Sequence, residues 1–118
     1  MTKPEEYYFE EGCYILELSN TPDDPSCSIA RARVEPGKTT RWHRLHGITE
    51  RYVILEGEGL AELERADSRK LGPGDVIVIQ PGHEQRITNL ADVDLVFLAV
   101  CTPRFVPEAY EDTETLLA

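Results

Sequence analysis

Three residues of types used in acid–base and metal chemistry, His43, Glu50 and Gln85, lie in three different segments that are predicted to be strands. Alternate residues of a strand point to the same side. His43 therefore shares a strand face with Arg41, and Glu50 shares one with Tyr52. We expect the imidazole, the carboxylate and the amide to converge inside a small β-barrel, where such groups need a partner, a ligand or water.

The segments that must position these residues have the composition of strands. Each is short, rich in β-formers or alternating in polarity, and bounded by Gly, Pro, Asn or Asp. Eight such segments are predicted: 13–18, 27–34, 40–45, 51–56, 60–65, 75–80, 84–88 and 93–101. This pattern predicts an all-β, antiparallel sandwich or closed barrel. After Pro107 the pattern fits either the start of a short helix or a loose tail.

Length and composition argue against several classes of function. The 118 residues are enough for a single domain, here taken as 1–118, and 22 Asp+Glu against 12 Lys+Arg give a net charge of -10. An acidic chain is a poor partner for nucleic acid or an anionic membrane, since both are bound through clustered Lys and Arg. No apolar run approaches the ~18 residues of a membrane span, and the N-terminus has no hydrophobic signal core. Three widely spaced cysteines fit neither a zinc pattern nor a disulfide framework, so we expect a cytoplasmic location.

Two linked motifs resemble those of the cupin superfamily, in its small, RmlC-like form. The first motif has Gly37, then His43 after five residues, and later Glu50 followed after six residues by Gly57; the second runs from Gly74 through Pro81-Gly82 to Asn89. The resemblance implies an antiparallel double-stranded β-helix, or jelly-roll barrel, with a barrel core at about 27–102 and a C-terminal tail at 103–118.

The resemblance also implies a metal site, from which this sequence departs. In the family two histidines, a Glu and a third His usually hold a divalent metal. Here Leu45 occupies the second His position and Gln85 the third, while His43 and Glu50 are retained. One hypothesis is a metalloenzyme with Mn, Fe, Zn or Ni on His43, Glu50 and Gln85. A β-bulge could add His46, although a turn position outside the barrel is the alternative.

The other hypothesis is a metal-free site. His43 beside Glu50 in a partly dry barrel would exchange protons near neutral pH, and Tyr52 could supply a second proton. Arg33 and Arg41, with Gln85, are the candidate substrate contacts, since an arginine can clamp a carboxylate or phosphate. The alternative for Arg33 is a surface ion pair with Glu62 or Glu64.

Together these observations predict a small-molecule enzyme acting on a polar or anionic metabolite inside the barrel. By resemblance alone, its chemistry would be sugar-phosphate isomerase-like, epimerase-like or dioxygenase/decarboxylase-like. The alternative is a non-catalytic small-ligand-binding or sensing module without metal. A barrel of this length buries little core, and outer apolar residues such as Val53 and Leu55 need cover, so we expect a homodimer.

Overall fold

The computed structural model describes residues 5–115, which form eleven β-strands and one turn of 3-10 helix. The strands are β1 Tyr7–Phe9, β2 Cys13–Ser19, β3 Ser28–Val34, β4 His43–Leu45, β5 Thr49–Glu56, β6 Gly59–Leu63, β7 Asp67–Leu71, β8 Val76–Ile79, β9 Gln85–Asn89, β10 Leu95–Thr102 and β11 Tyr110–Asp112. The 3-10 turn covers Pro107–Ala109, immediately before β11. None of the helical structure in this range is long and apolar enough to cross a membrane.

All strand pairs are antiparallel, and they divide into two sheets. One sheet has six strands in the order β1-β2-β3-β10-β5-β8, and the other has five in the order β11-β4-β9-β6-β7. Neighbours in a sheet are therefore mostly distant in sequence, as in a jelly roll. The expected all-β, antiparallel double-stranded β-helix is confirmed.

Three strands were not predicted, for identifiable reasons. β7 has the sequence DSRKL with four of its five residues exposed, so it lacks an apolar face and is a strand only because it pairs along β6. β1 is three residues long and pairs with β2. The tail is neither a regular helix nor loose over its described part, because after the 3-10 turn β11 pairs with β4.

The apolar side chains of both sheets form a main core, and a smaller cluster of Leu45, Ile48, Cys101 and Ala109 lies apart from it. Phe97, Ile54 and Ile87 are at most 1% exposed, and they come from β10, β5 and β9. The core residues are Cys13, Ala32, Val34, Tyr52, Ile54, Ala61, Leu71, Ile77, Ile79, Ile87, Leu95 and Phe97. Because alternate residues of β5 and β9 enter this core, the polar residues in the same alternation are buried with them.

One glycine and one asparagine fix the loops that close the barrel beside the core. Gly57, after β5, has φ +83, and a Cβ there would lie 2.7 Å from the Asp94 carbonyl oxygen. A side chain is thus excluded by backbone contact as well as by conformation. The buried Asn89 amide donates to the carbonyls of Val34 and Val93 and accepts from the Ala91 N–H. The last residue of the second motif is therefore structural.

Candidate functional site

A cavity of about 70 Å³ opens between the sheets, and it contains the chemistry-bearing residues of the barrel. The volume is several times the roughly 10–15 Å³ that one water requires, so a few waters or part of a small ligand can enter. Its lining residues are Tyr7, Phe9, Glu11, Ile15, Glu17, Ser28, Ala30, Ala32, His43, Leu45, Glu50, Tyr52, Phe97, Ala99, Cys101, Phe105 and Tyr110.

His43 is held at both ring nitrogens. It opens β4, pairs in register with Gln85 of β9, and is 1% exposed. Nδ1 lies 2.7 Å from the Arg41 carbonyl oxygen. A carbonyl only accepts, so Nδ1 carries a hydrogen and donates it, and the exchangeable position of the ring is Nε2.

Nε2 of His43 faces a carboxylate that the sequence did not reveal. Its distance to Glu11 Oε1 is 3.2 Å. The contact is a hydrogen bond only when one proton resides on the imidazole or on the carboxyl group. Tyr110 covers the other side of the ring in a stacked arrangement, with centroids 5.3 Å apart. The Glu11 carboxylate and the Tyr110 ring thus fix the position of His43 Nε2 at the wall of the cavity.

Glu50 is a buried carboxylate with an unused oxygen. It lies in β5 opposite Cys101 of β10 and is 8% exposed. Oε2 is 3.8 Å from the Cys101 thiol, and Oε1 has no hydrogen-bond partner among residues 5–115. Burial raises the pKa of Glu50 to about 7, although the nearby positive charge of His43 opposes that rise. The group therefore changes protonation state near neutral pH.

Tyr52 and Gln85 form a pair behind this carboxyl group. The Tyr52 hydroxyl donates to Gln85 Oε1, and both side chains are almost completely buried. Burial, and secondarily the Glu50 carboxylate, raises the pKa of Tyr52 well above its ordinary value, so the phenol keeps its proton. Gln85 Nε2 has no hydrogen-bond partner. The structure thus brings together four of the residues singled out in the sequence: His43, Glu50, Tyr52 and Gln85.

The cavity widens into an outer space, here called the vestibule. The vestibule is about 270 Å³ and is lined by Tyr7, Phe9, Glu10, Glu17, Asn20, Phe105, Pro107 and Tyr110. Five of these residues also line the inner cavity, so the two spaces are continuous. Glu11, Glu17 and the N-terminal aromatic residues were missed by sequence reasoning because they precede both motifs. Gly12, a turn glycine with φ +105 next to Glu11, is the local signal that could have pointed to this segment.

The two candidate arginines are directed away from this cavity. Arg33 lies on the outer face of β3, where it pairs with Glu6 at 2.8 Å and with Asp94 at 3.2 Å. Arg33 therefore forms surface ion pairs, as one interpretation of the sequence expected, but its partners are not Glu62 or Glu64. Arg41 pairs with Asp112 at 2.6 Å, and its side chain is 43% exposed. Neither residue lines the cavity: alternation along β3 places Ala32 inside and Arg33 outside, whereas Arg41 precedes β4 and so does not share the inward face expected for it beside His43.

His46 also lies outside the barrel. Its side chain is 57% exposed, and Nε2 is 2.7 Å from a Glu111 carboxylate oxygen. The bulge that would turn it inward does not form: β4 ends at Leu45, and His46 occupies the turn before β5. His46 is thus not available beside His43 and Glu50.

The donors present do not fit the metal that the family motif implies. Leu45 has no donor atom, and the Gln85 amide oxygen accepts the Tyr52 hydroxyl, so a metal would have to share that oxygen with the phenol. Among residues 5–115 no group of three or more His, Cys, Asp and Glu side chains is arranged to hold a metal ion. His43 and Glu50 remain, and two donors do not make a closed or three-point site.

The chain belongs to the cupin family, whose domain profile matches residues 30–101. It is 35% identical over 112 residues to an uncharacterised protein of Methanocaldococcus jannaschii. The alignment covers 93% of this chain and 86% of that protein. It is also 35% identical over 72 residues to an oxalate-binding protein of Thermotoga maritima, covering 61% of this chain and 59% of the relative.

A solved structure supports the fold. The Streptomyces protein Pac13, a nucleoside dehydratase, aligns with a TM-score of 0.80 over 95% of this chain and 86% of its own, at 17% identity. At that identity the likeness concerns the barrel and not its chemistry.

Proposed function

We propose that this chain is a small-molecule enzyme that transfers protons inside the barrel, with Glu50 and His43 as the acid–base groups. The observation that carries the proposal is the Glu50 carboxyl group, which is buried in the cavity wall, has a pKa raised to about 7, and keeps Oε1 without a partner. A general acid or base works best when its pKa lies near the operating pH.

The two groups have separable roles in this proposal. The Glu50 carboxyl group lines the cavity, and its Oε1 has no hydrogen-bond partner among residues 5–115 by geometry, although the Gln85 side chain is near enough to oppose the rise of the Glu50 pKa; this group would take a proton from a bound molecule. His43 Nε2 is the exchangeable position of the ring and can pass a proton to or from the same molecule, while the Arg41 carbonyl fixes the ring for that transfer. Tyr52 keeps its proton and donates it in a hydrogen bond to Gln85 Oε1, which orients the amide. Isomerisation, epimerisation and elimination can each proceed with such an acid–base pair.

Deuterium exchange tests the proposal and does not require that the substrate be identified first. The protein is incubated in D₂O with a panel of sugars, hydroxy acids, amines and nucleosides, and carbon-bound deuterium is measured by mass spectrometry. We expect at least one compound to exchange, and His43→Gln and Glu50→Gln each to slow the exchange by about 10²-fold or more. Glu35→Gln, at an exposed turn, is the matched control and should retain the native rate.

A non-catalytic ligand-binding module is the second candidate, and the similarity to an oxalate-binding protein favours it. Mass spectrometry of the purified chain separates the two. A retained small molecule, with no exchange on any compound of the panel, would favour the binding module. Exchange that continues unchanged in both variants would contradict the roles of His43 and Glu50.

A further inference from the structure

The charge on the cavity wall has one sign. Glu11, Glu17 and Glu50 line the inner cavity, and Glu10 joins Glu17 in the vestibule. None of the described residues that line either space is a lysine or an arginine. A concave surface lined by one sign of charge concentrates ligands of the opposite sign.

Arginines that could balance this charge are engaged elsewhere. Arg33 pairs with Glu6 and Asp94, and Arg41 with Asp112, all on the outside of the barrel. Arg104 donates to Asn20, a vestibule residue, but does not line the vestibule itself. Among the lining residues the counter-charge is therefore limited to His43, which contacts Glu11.

The Glu50 carboxyl group indicates that the cavity lacks a positively charged partner. It is more than nine-tenths buried, it lines the cavity, and its Oε1 makes no hydrogen bond to any residue that the structure describes. A buried carboxylate without a partner is unfavourable, and a cation brought into the cavity supplies the partner. Burial also raises the pKa of Glu17, so a cation would relieve the same cost at the vestibule.

Aromatic rings surround the entrance to these carboxylates. Tyr7, Phe9, Phe105 and Tyr110 line both spaces, and the rings of Phe9 and Tyr110 meet edge to face with centroids 5.2 Å apart. Aromatic faces attract cations through their quadrupole, and they attract ammonium groups in particular when water is excluded. Carboxylates behind aromatic walls suit an amine better than a metal ion or a carboxylic acid.

We propose that the cavity and vestibule bind an organic cation, a protonated or quaternary amine whose head group contacts the aromatic rings and Glu17 and whose polar end reaches Glu50. This proposal rests on the proposed function, because it names the class of molecule that enters the same site. It replaces the anionic ligand expected from Arg33 and Arg41.

A matched pair of probes tests the charge alone. Choline and 3,3-dimethyl-1-butanol have nearly the same shape and differ in the positive charge, and oxalate serves as the anionic probe. Binding of each is measured by isothermal titration calorimetry at neutral pH. We expect choline to bind about 10-fold more tightly than its neutral isostere, a difference of the size that cation–π contacts give, and oxalate to bind more weakly than both.

Two variants locate the interaction. Glu17→Gln should weaken choline binding several-fold and leave the neutral isostere unchanged, while Phe105→Leu should weaken choline through loss of a ring without any change of charge. Glu35→Gln is the control for an exposed carboxylate. Equal affinity for choline and the isostere, preference for oxalate, or no binding of choline at millimolar concentration would overturn the proposal. Deuterium exchange that depends on His43 and Glu50 would leave the proposed function standing in each of those cases.

Discussion

Replacing Glu50 with Gln should change the pH dependence of stability in one direction. Burial raises the pKa of this carboxyl group from 4.5 to about 7 in the folded chain. Between these values the folded state holds a proton that the unfolded state has released. Unfolding therefore releases a proton, and the free energy of unfolding falls as the pH rises through this window. Glutamine has the same shape and does not ionise, so the free energy of unfolding of the variant does not decrease in this way as the pH rises.

The magnitude follows from the size of the shift. One pKa unit corresponds to about 1.36 kcal/mol, so the movement of Glu50 to about 7 amounts to about 3 kcal/mol over the whole window. Of this, about 2.5 kcal/mol lies between about pH 5 and about pH 8. The variant should gain that much stability relative to the native chain over the same interval.

Urea unfolding of both proteins at a series of pH values measures the difference directly. Carboxylates whose pKa is lowered, such as Glu84 and Asp112, are present in both chains and cancel. Glu35→Gln removes a carboxylate from an exposed turn, where substitutions usually change stability by less than about 0.5 kcal/mol. A difference between the native chain and Glu50→Gln that stays constant from acid to neutral pH would refute the argument from burial.

Three further predictions concern the fold and the assembly. Tyr52→Phe leaves the buried Gln85 carbonyl unpaired and should cost about 1–3 kcal/mol by urea unfolding; an unchanged midpoint would show that the pair is dispensable. Gly74→Ala, at φ +91 in open space, should cost about 1–2 kcal/mol. Gly57→Ala should cost more, because its methyl group would also meet the Asp94 carbonyl; equal costs for the two glycines would contradict that contact. The chain should sediment as a homodimer at micromolar concentration, and the mass of a single chain would refute that expectation.

The alternation of residues predicted the strands that carry the two motifs. Glu50, Tyr52 and Ile54 were placed on one face of a strand from the sequence, and all three are buried in β5. Residue alternation gives no signal for a strand that has no apolar face. β7 has four exposed residues, and only its pairing along β6 makes it a strand.

The contacts between the site residues were less predictable from the sequence than the placement of these residues in the barrel. Sequence spacing placed His43 and Gln85 in the barrel, where they pair in register. It did not show that the oxygen of Gln85 accepts the Tyr52 hydroxyl, which sets the orientation of the amide in the barrel. It also did not show Glu11, because that residue precedes both motifs and reaches His43 only through the fold.

The sequence by itself determined the family and the all-β fold and placed His43, Glu50, Tyr52 and Gln85 in the barrel interior, because strand periodicity and motif spacing are local properties of the chain. The tertiary structure alone decided the charge of the cavity. Arginine and glutamate side chains are long, and whether one enters the barrel or pairs on its surface depends on partners far away in sequence. In this fold Arg33 and Arg41 find carboxylates outside, whereas Glu11, Glu17 and Glu50 are directed inward.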